Sequence, residues 1–183
     1  MARKWRKLHR PGDNPPARPG GPGGQTIDAE LVQVARNLRL RARGVIGVLV
    51  AGRRLDIAPA ALRLSVALSQ LTGEPVVWFG DGHPADVPAG AGRVAVNPIT
   101  ANMAFSLRSA RPRYPYVLFD LGRLVRDGAL ESVMGEVDGV LLAARAGLAK
   151  DADLLRTAGL LAGRPIVGVV LVDGVAPQPR SPA

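Results

Sequence analysis

Val45-Ile46-Gly47-Val48-Leu49-Val50-Ala51-Gly52-Arg53-Arg54-Leu55-Asp56-Ile57-Ala58-Pro59-Ala60-Ala61-Leu62 reads as a strand, a tight loop and a helix. The apolar β-branched run up to Val50 suits a buried strand, and the alanine- and leucine-rich stretch from Pro59 suits a helix. This is the frame of a phosphate-binding loop. Such a loop uses glycines so that backbone N–H groups reach the phosphates, a lysine to neutralise them and a Ser or Thr hydroxyl for Mg²⁺. Counted from Ala51, those places hold Asp56, Ile57 and Ala58; counted from Gly52, they hold Ile57, Ala58 and Pro59. Neither register has the lysine. Asp56 has a second role open to it, as the N-cap of the following helix, where its carboxylate meets the positive end of the helix dipole. Pro59 is tolerated in the first turn of that helix.

Outward from this stretch, short apolar runs alternate with helical ones, which predicts a parallel sheet with helices on both faces. The expected strands are Val45 to Val50, Pro75 to Phe79, Arg93 to Val96, Tyr116 to Asp120, Gly139 to Ala143 and Ile166 to Val172. The expected helices between them are Pro59 to Leu71, Thr100 to Ser109, Ala129 to Glu136 and Lys150 to Ala162. Before them, Leu31, Val34, Ala35 and Leu38 fall on one helical face, with Thr26 or Asp28 as N-cap and an end near Arg43-Gly44. Val140-Leu141-Leu142 and Val167-Gly168-Val169-Val170-Leu171 lack alternation, as expected of strands buried on both faces. In such a sheet the ligand crevice lies outside the carboxyl ends of the strands, here Ala51 to Asp56, Gly80 to Ala85, Asp120 to Arg123, Ala144 to Leu148 and Val172 to Gly174.

The chain has 183 residues, enough for one α/β domain with a core of its own, and no cysteine, so neither a disulfide nor a thiolate metal site is open to it. Its net charge of +9 is uneven. Residues 1–25 hold Arg3, Lys4, Arg6, Lys7, Arg10 and Arg18 against Asp13 alone and are rich in Pro and Gly, the composition of a disordered basic arm. The expected division is that arm, an α/β domain over 26–174, and a short disordered tail over 175–183. No apolar run is long enough to span a bilayer. His9 and His83 have no second histidine at metal spacing, and no metal site is expected. Trp78 and Phe79 read as strand core, and Gly80-Asp81-Gly82 as a turn.

Four segments carry a resemblance to a known family. They are Glu30-Leu31-Val32-Gln33-Val34-Ala35-Arg36-Asn37-Leu38-Arg39, the frame Val45 to Leu71, Tyr114-Pro115-Tyr116-Val117-Leu118-Phe119-Asp120, and Asp138 to Gly147 with the later Gly168-Val169-Val170-Leu171-Val172. Together they resemble the deviant P-loop ATPases of the MinD/ParA type, and within them the cytoplasmic tyrosine kinase domains of bacterial capsule and exopolysaccharide assembly. The resemblance implies a P-loop NTPase-like three-layer sandwich, and it makes Glu30, Gln33 and Arg36 an oligomerisation contact, with Gln33 in place of the family's first arginine.

Against the family's pattern, the phosphate loop Ala51, Gly52, Arg53, Arg54, Asp56, Ile57 and Ala58 is degenerate. Where the family's second strand ends in Asp-x-Asp, Val76-Val77-Trp78-Phe79 here runs into Gly80-Asp81-Gly82, with one aspartate out of register; Asp120 is followed by Leu121-Gly122-Arg123, and Val172 stands where an Asn touches adenine. The tyrosine-rich tail is missing. The expectation is a catalytically degenerate accessory or regulatory protein of exopolysaccharide or capsule biosynthesis, acting through protein contacts without a cofactor, with Asp120 and Asp81 as relics of a metal site. Its partners would be a membrane polysaccharide co-polymerase or an active kinase paralogue, in a homo- or hetero-oligomer. It would sit in the cytoplasm or at the inner face of the membrane; the basic arm reads first as a solubilising tail and second as a contact for anionic lipid.

Two alternatives stand beside this reading. One is an active ATPase or tyrosine kinase that holds ATP and Mg²⁺ unconventionally through Arg53, Arg54, Asp120 and Asp81. The other is a ParA-like module bound to DNA through its arm; nucleic acid ranks below lipid as a partner of the arm.

Overall fold

The computed structural model describes residues 29–41, 43–52, 55–87, 92–161 and 163–172. The arm, the tail, the N-cap candidates Thr26 and Asp28, Arg53, Arg54 and the side chain of Glu30 lie outside the described residues. Six strands form one sheet in the order β3-β2-β4-β1-β5-β6. They are β1 (Gly44–Ala51), β2 (Val76–Phe79), β3 (Val94–Asn97), β4 (Tyr116–Asp120), β5 (Gly139–Arg145) and β6 (Ile166–Val172). Every neighbouring pair is parallel. The α/β reading of the alternating pattern is therefore the fold, and all six strands fall where the sequence placed them, to within two residues at either end.

The helices are α1 (Ala29–Arg41), α2 (Ala58–Thr72), α3 (Met103–Ala110), α4 (Leu121–Arg126), α5 (Glu131–Met134) and α6 (Asp151–Gly159). One core lies between the sheet and α1 with α2, built on Leu38, Ile46, Leu68, Trp78 and Leu141. The other lies on the opposite face under α3, α4 and α5, built on Leu107, Phe119, Leu121 and Leu142. Leu31, Ala35 and Leu38 of α1 are buried and Val34 packs beside them, as their spacing predicts.

Three expectations change. The helices after β3, before β5 and after β5 are shorter than read; α3 starts only at Met103, where Asn102 accepts the Phe105 N–H at 3.3 Å and caps it. A helix not expected at all, α4, follows β4 directly. Most instructive is β6. The unbroken run Val167 to Leu171 predicts burial on both faces, yet Val169 is 48% and Leu171 57% exposed. Among the described residues β6 is the last strand of the sheet and pairs on one side only, to β5. Val170 and Val172 pack into the core beside α1, so Val169 and Leu171, at odd positions, face the other side.

Candidate functional site

β1 lies between β4 and β5, so its carboxyl end opens at the centre of the crevice. The chain leaves buried Ala51 through Gly52, whose φ is +90° and whose added Cβ would lie 3.3 Å from Asp153 Oδ2. Both the left-handed backbone and that close approach call for glycine. Beyond Arg53 and Arg54 the chain re-enters as Leu55-Asp56-Ile57 and starts α2 at Ala58. Asp56 is exposed, and its Oδ1 accepts the Ala58 N–H at 3.1 Å. It thereby answers one of the four free N–H groups of the helix and places a negative charge at the positive end of its dipole. By hydrogen bonding the cap position is Ile57, one residue later, whose carbonyl accepts the Ala61 N–H and whose side chain makes no bond to the helix.

Ile57 and Ala58 are 4% and 8% exposed, and Ile57 belongs to the core under α2. A polyphosphate seated on this turn would face the Asp56 carboxylate and meet no lysine or hydroxyl among described residues 55–61. Those residues do not fit a nucleotide triphosphate with Mg²⁺.

On the β4 side of β1, Asp120 ends its strand at 8% exposure. Its Oδ1 accepts the N–H of Gly122 at 2.9 Å and of Arg123 at 3.3 Å, making it the N-cap of α4. Burial raises its pKa above the ordinary carboxylate value; the two backbone hydrogen bonds and the Arg126 charge oppose the rise, and Asp81 adds to it. Asp81 sits in the turn after β2, and its side chain is 73% exposed. Arg123 links the two: its backbone N–H bonds Asp120 and its guanidinium lies 3.4 Å from Asp81 Oδ1. The two aspartates singled out from the sequence are thus brought to one end of the crevice, bridged by an arginine. The sequence pattern places no helix between Asp120 and Ala129 and so gives Arg123 and Arg126 no role. The signal was there, in an aspartate followed by Leu121 and Leu124 at helical spacing.

The remaining expectations resolve locally. Trp78 is fully buried and donates its Nε1–H to the Asp81 carbonyl at 3.0 Å, so its ring is core. His83 is no idle loop residue. Its Nδ1 accepts the Ala85 N–H while its own N–H is bonded to Asp86, closing a capping box on the turn Pro84–Asp86. On α1, Gln33 and Arg36 are exposed, and Gln33 makes only a 3.5 Å contact to Asn37. Among the described residues no group of three acidic or histidine side chains is placed to hold a metal ion.

On the β5 side of β1 the crevice opens into a cavity of about 730 Å³ between Gly52, the loop Gly147 to Lys150, and Asp153, Arg156 and Thr157 of α6. Thr157 donates its hydroxyl to the Asp153 carbonyl at 2.8 Å, and Arg156 stands 3.9 Å from the Asp153 carboxylate. Its lining mixes apolar side chains such as Val50 and Leu148 with charges of both signs.

No protein-family model matches this chain, and no curated protein matches it in sequence. Solved structures do match. The VpsO kinase domain superposes with a TM-score of 0.59 at 15% identity, over 79% of this chain and 93% of that one. The kinase domain of the Escherichia coli tyrosine kinase ETK gives 0.57 at 16% identity, over 83% and 79%. The BceF tyrosine kinase domain gives 0.56 at 15% identity, over 79% and 74%. The chain has the fold of these bacterial tyrosine kinase domains, a P-loop-type α/β sheet.

Proposed function

We propose that this protein is a kinase-like P-loop domain without phosphoryl transfer, serving exopolysaccharide or capsule assembly as an accessory or regulatory subunit. The observation that carries the reading is the first turn of α2. There the Asp56 carboxylate already holds a helix N–H, and buried Ile57 and Ala58 stand where a nucleotide-binding loop has its lysine and hydroxyl. Phosphoryl transfer rests on positioning the phosphates and neutralising their charge. A turn that presents a carboxylate and two apolar side chains does neither. The contact from the Arg123 guanidinium to Asp81, beside Asp120, supports the same reading, since a cationic side chain there competes with a divalent cation for the Asp81 carboxylate.

Function then falls to surfaces. The outward side chains of α1, Gln33 and Arg36 among them, form the contact for a membrane polysaccharide co-polymerase or an active kinase paralogue. α1 suits this role because its inner residues fix it to the sheet while its outer face stays open. The test is thermal unfolding with and without ATP and Mg²⁺. A ligand at a hundredfold its Kd would add about 2.7 kcal/mol to stability, a rise of about 5–10 °C in a domain of this size. No rise is expected, nor any transfer of radiolabelled phosphate to protein or water. A rise together with turnover would establish the active alternative instead.

A further inference from the structure

Because all six strands are parallel, their amino ends form a second edge, opposite the crevice. Arginines collect there, at the ends of α1 and α3 and in the segments entering β1, β3, β4 and β6. Three are neutralised: Arg43 pairs with Glu74 at 2.7 Å, Arg108 with Glu136 at 2.9 Å, and Arg111 with Asp138 at 3.0 Å. Four others, Arg39, Arg93, Arg113 and Arg164, are exposed and form no ion pair among the described residues. Arg39 belongs to this edge because it acts, with Arg43, on Tyr116, the first residue of β4. Burial and Glu74 raise the phenol's pKa there, and the two arginines oppose them. Glu74, Glu136 and Asp138 are each taken up by one of the paired arginines, so they do not offset the other four.

Basic residues near helix carboxyl ends have an ordinary use in offsetting the helix dipole. That use does not account for the apolar side chains among them. Leu40, next to Arg39, is 80% exposed. Leu160 and Ile166, on either side of Arg164, are 50% and 42% exposed. The edge is six strands wide, about 24 Å at the usual strand spacing. Such a front of unpaired arginines interspersed with exposed aliphatic side chains fits the boundary between lipid headgroups and acyl chains. A phosphodiester backbone would use the charge and leave the leucines and the isoleucine without a purpose.

We propose that the amino-terminal edge of the sheet, through Arg39, Arg93, Arg113 and Arg164 with Leu40 and Ile166, is a docking surface for an anionic phospholipid bilayer. Docked in this way, the domain turns its crevice and the Asp56 turn away from the membrane. The residues of this surface are not those of the basic arm, and the proposal does not depend on the crevice being inactive.

Co-sedimentation of the full chain with vesicles of phosphatidylcholine, alone or mixed with phosphatidylglycerol, tests the assignment. Binding is expected to the mixed vesicles, weakened by salt. The combined change Arg93→Glu, Arg113→Glu and Arg164→Glu should reduce it at least about tenfold, since each basic group near such a surface contributes several-fold. Leu40→Ser with Ile166→Ser should weaken it at unchanged charge. The substituted side chains are exposed, and circular dichroism checks that the variants fold; the milder Arg→Gln triple is read in the same way. Replacing Arg3, Lys4, Arg6, Lys7 and Arg10 of the arm by Gln should leave more than half of the bound fraction. The proposal is overturned if the Glu and Gln triples bind as the parent does, if neutralising the arm alone abolishes binding, or if double-stranded DNA displaces the chain from vesicles.

Discussion

At the scale of single residues, Asp120 shows how one carboxylate is claimed by the local backbone. It is the residue that the sequence offers most readily as a metal ligand, yet its Oδ1 accepts two N–H groups at the start of α4 and its charge sits in a largely buried place. Its raised pKa means that the folded protein favours the protonated form. The favourable contribution of the group is full below the ordinary carboxylate pKa and is lost as the pH rises through the raised folded value. Asp120→Asn keeps an acceptor oxygen for the cap and carries no charge. Thermal melts should find this variant as stable as the parent or more so at neutral pH, with the advantage gone in acid. Asp120→Ala should be less stable by about 1 kcal/mol, the ordinary worth of a lost cap. The acid at the strand end was legible in the sequence. That it turns inward to cap was not, because no helix is expected directly after Asp120.

At the scale of elements, the turn into α2 and strand β6 give opposite lessons about apolar residues. Ile57 and Ala58 look like failed ligands in the sequence and are packing residues in the structure. Rebuilding a phosphate loop as Asp56→Gly, Ile57→Lys and Ala58→Ser therefore removes a buried Ile and a helix-end carboxylate together. Chemical denaturation should show a loss of about 2–4 kcal/mol. β6 looks fully buried in sequence and is half open. Val169→Lys with Leu171→Lys should change stability by no more than about 1 kcal/mol and improve solubility, since charges on an exposed edge strand oppose edge-to-edge pairing. Val170→Lys, one position away and 4% exposed, should unfold the domain. An apolar run without alternation is compatible with two covered faces or with one covered face at the sheet's edge. Strand order decides between them, and strand order does not appear in a local pattern.

At the scale of the whole molecule, the sheet separates two cores that share no side chains, one under α1 and α2 and one under α3, α4 and α5. Leu38→Ala in the first and Leu107→Ala in the second each remove a buried leucine, at 1% and 0% exposure. Each should cost about 2–5 kcal/mol, and the losses should add to within about 0.5 kcal/mol in a double variant, because the sites have no common neighbours. If both variants are too unstable to purify, Leu→Val at the two positions makes the same comparison at lower cost. Unfolding followed by two probes should remain a single transition, since both cores are anchored on the same strands. By itself the sequence determined the class of fold, the places of all six strands and the absence of a lysine from the loop after β1. Each of these rests on periodicity, turn chemistry or residue identity, which act over a few neighbouring residues. Tertiary structure alone decided which apolar strand is an edge, that Arg123 joins Asp120 to Asp81 across 42 positions of sequence, and that arginines from four separate segments share one edge of the sheet. Those outcomes depend on strand order and on the common direction of the strands, which are fixed by packing between residues far apart in the chain.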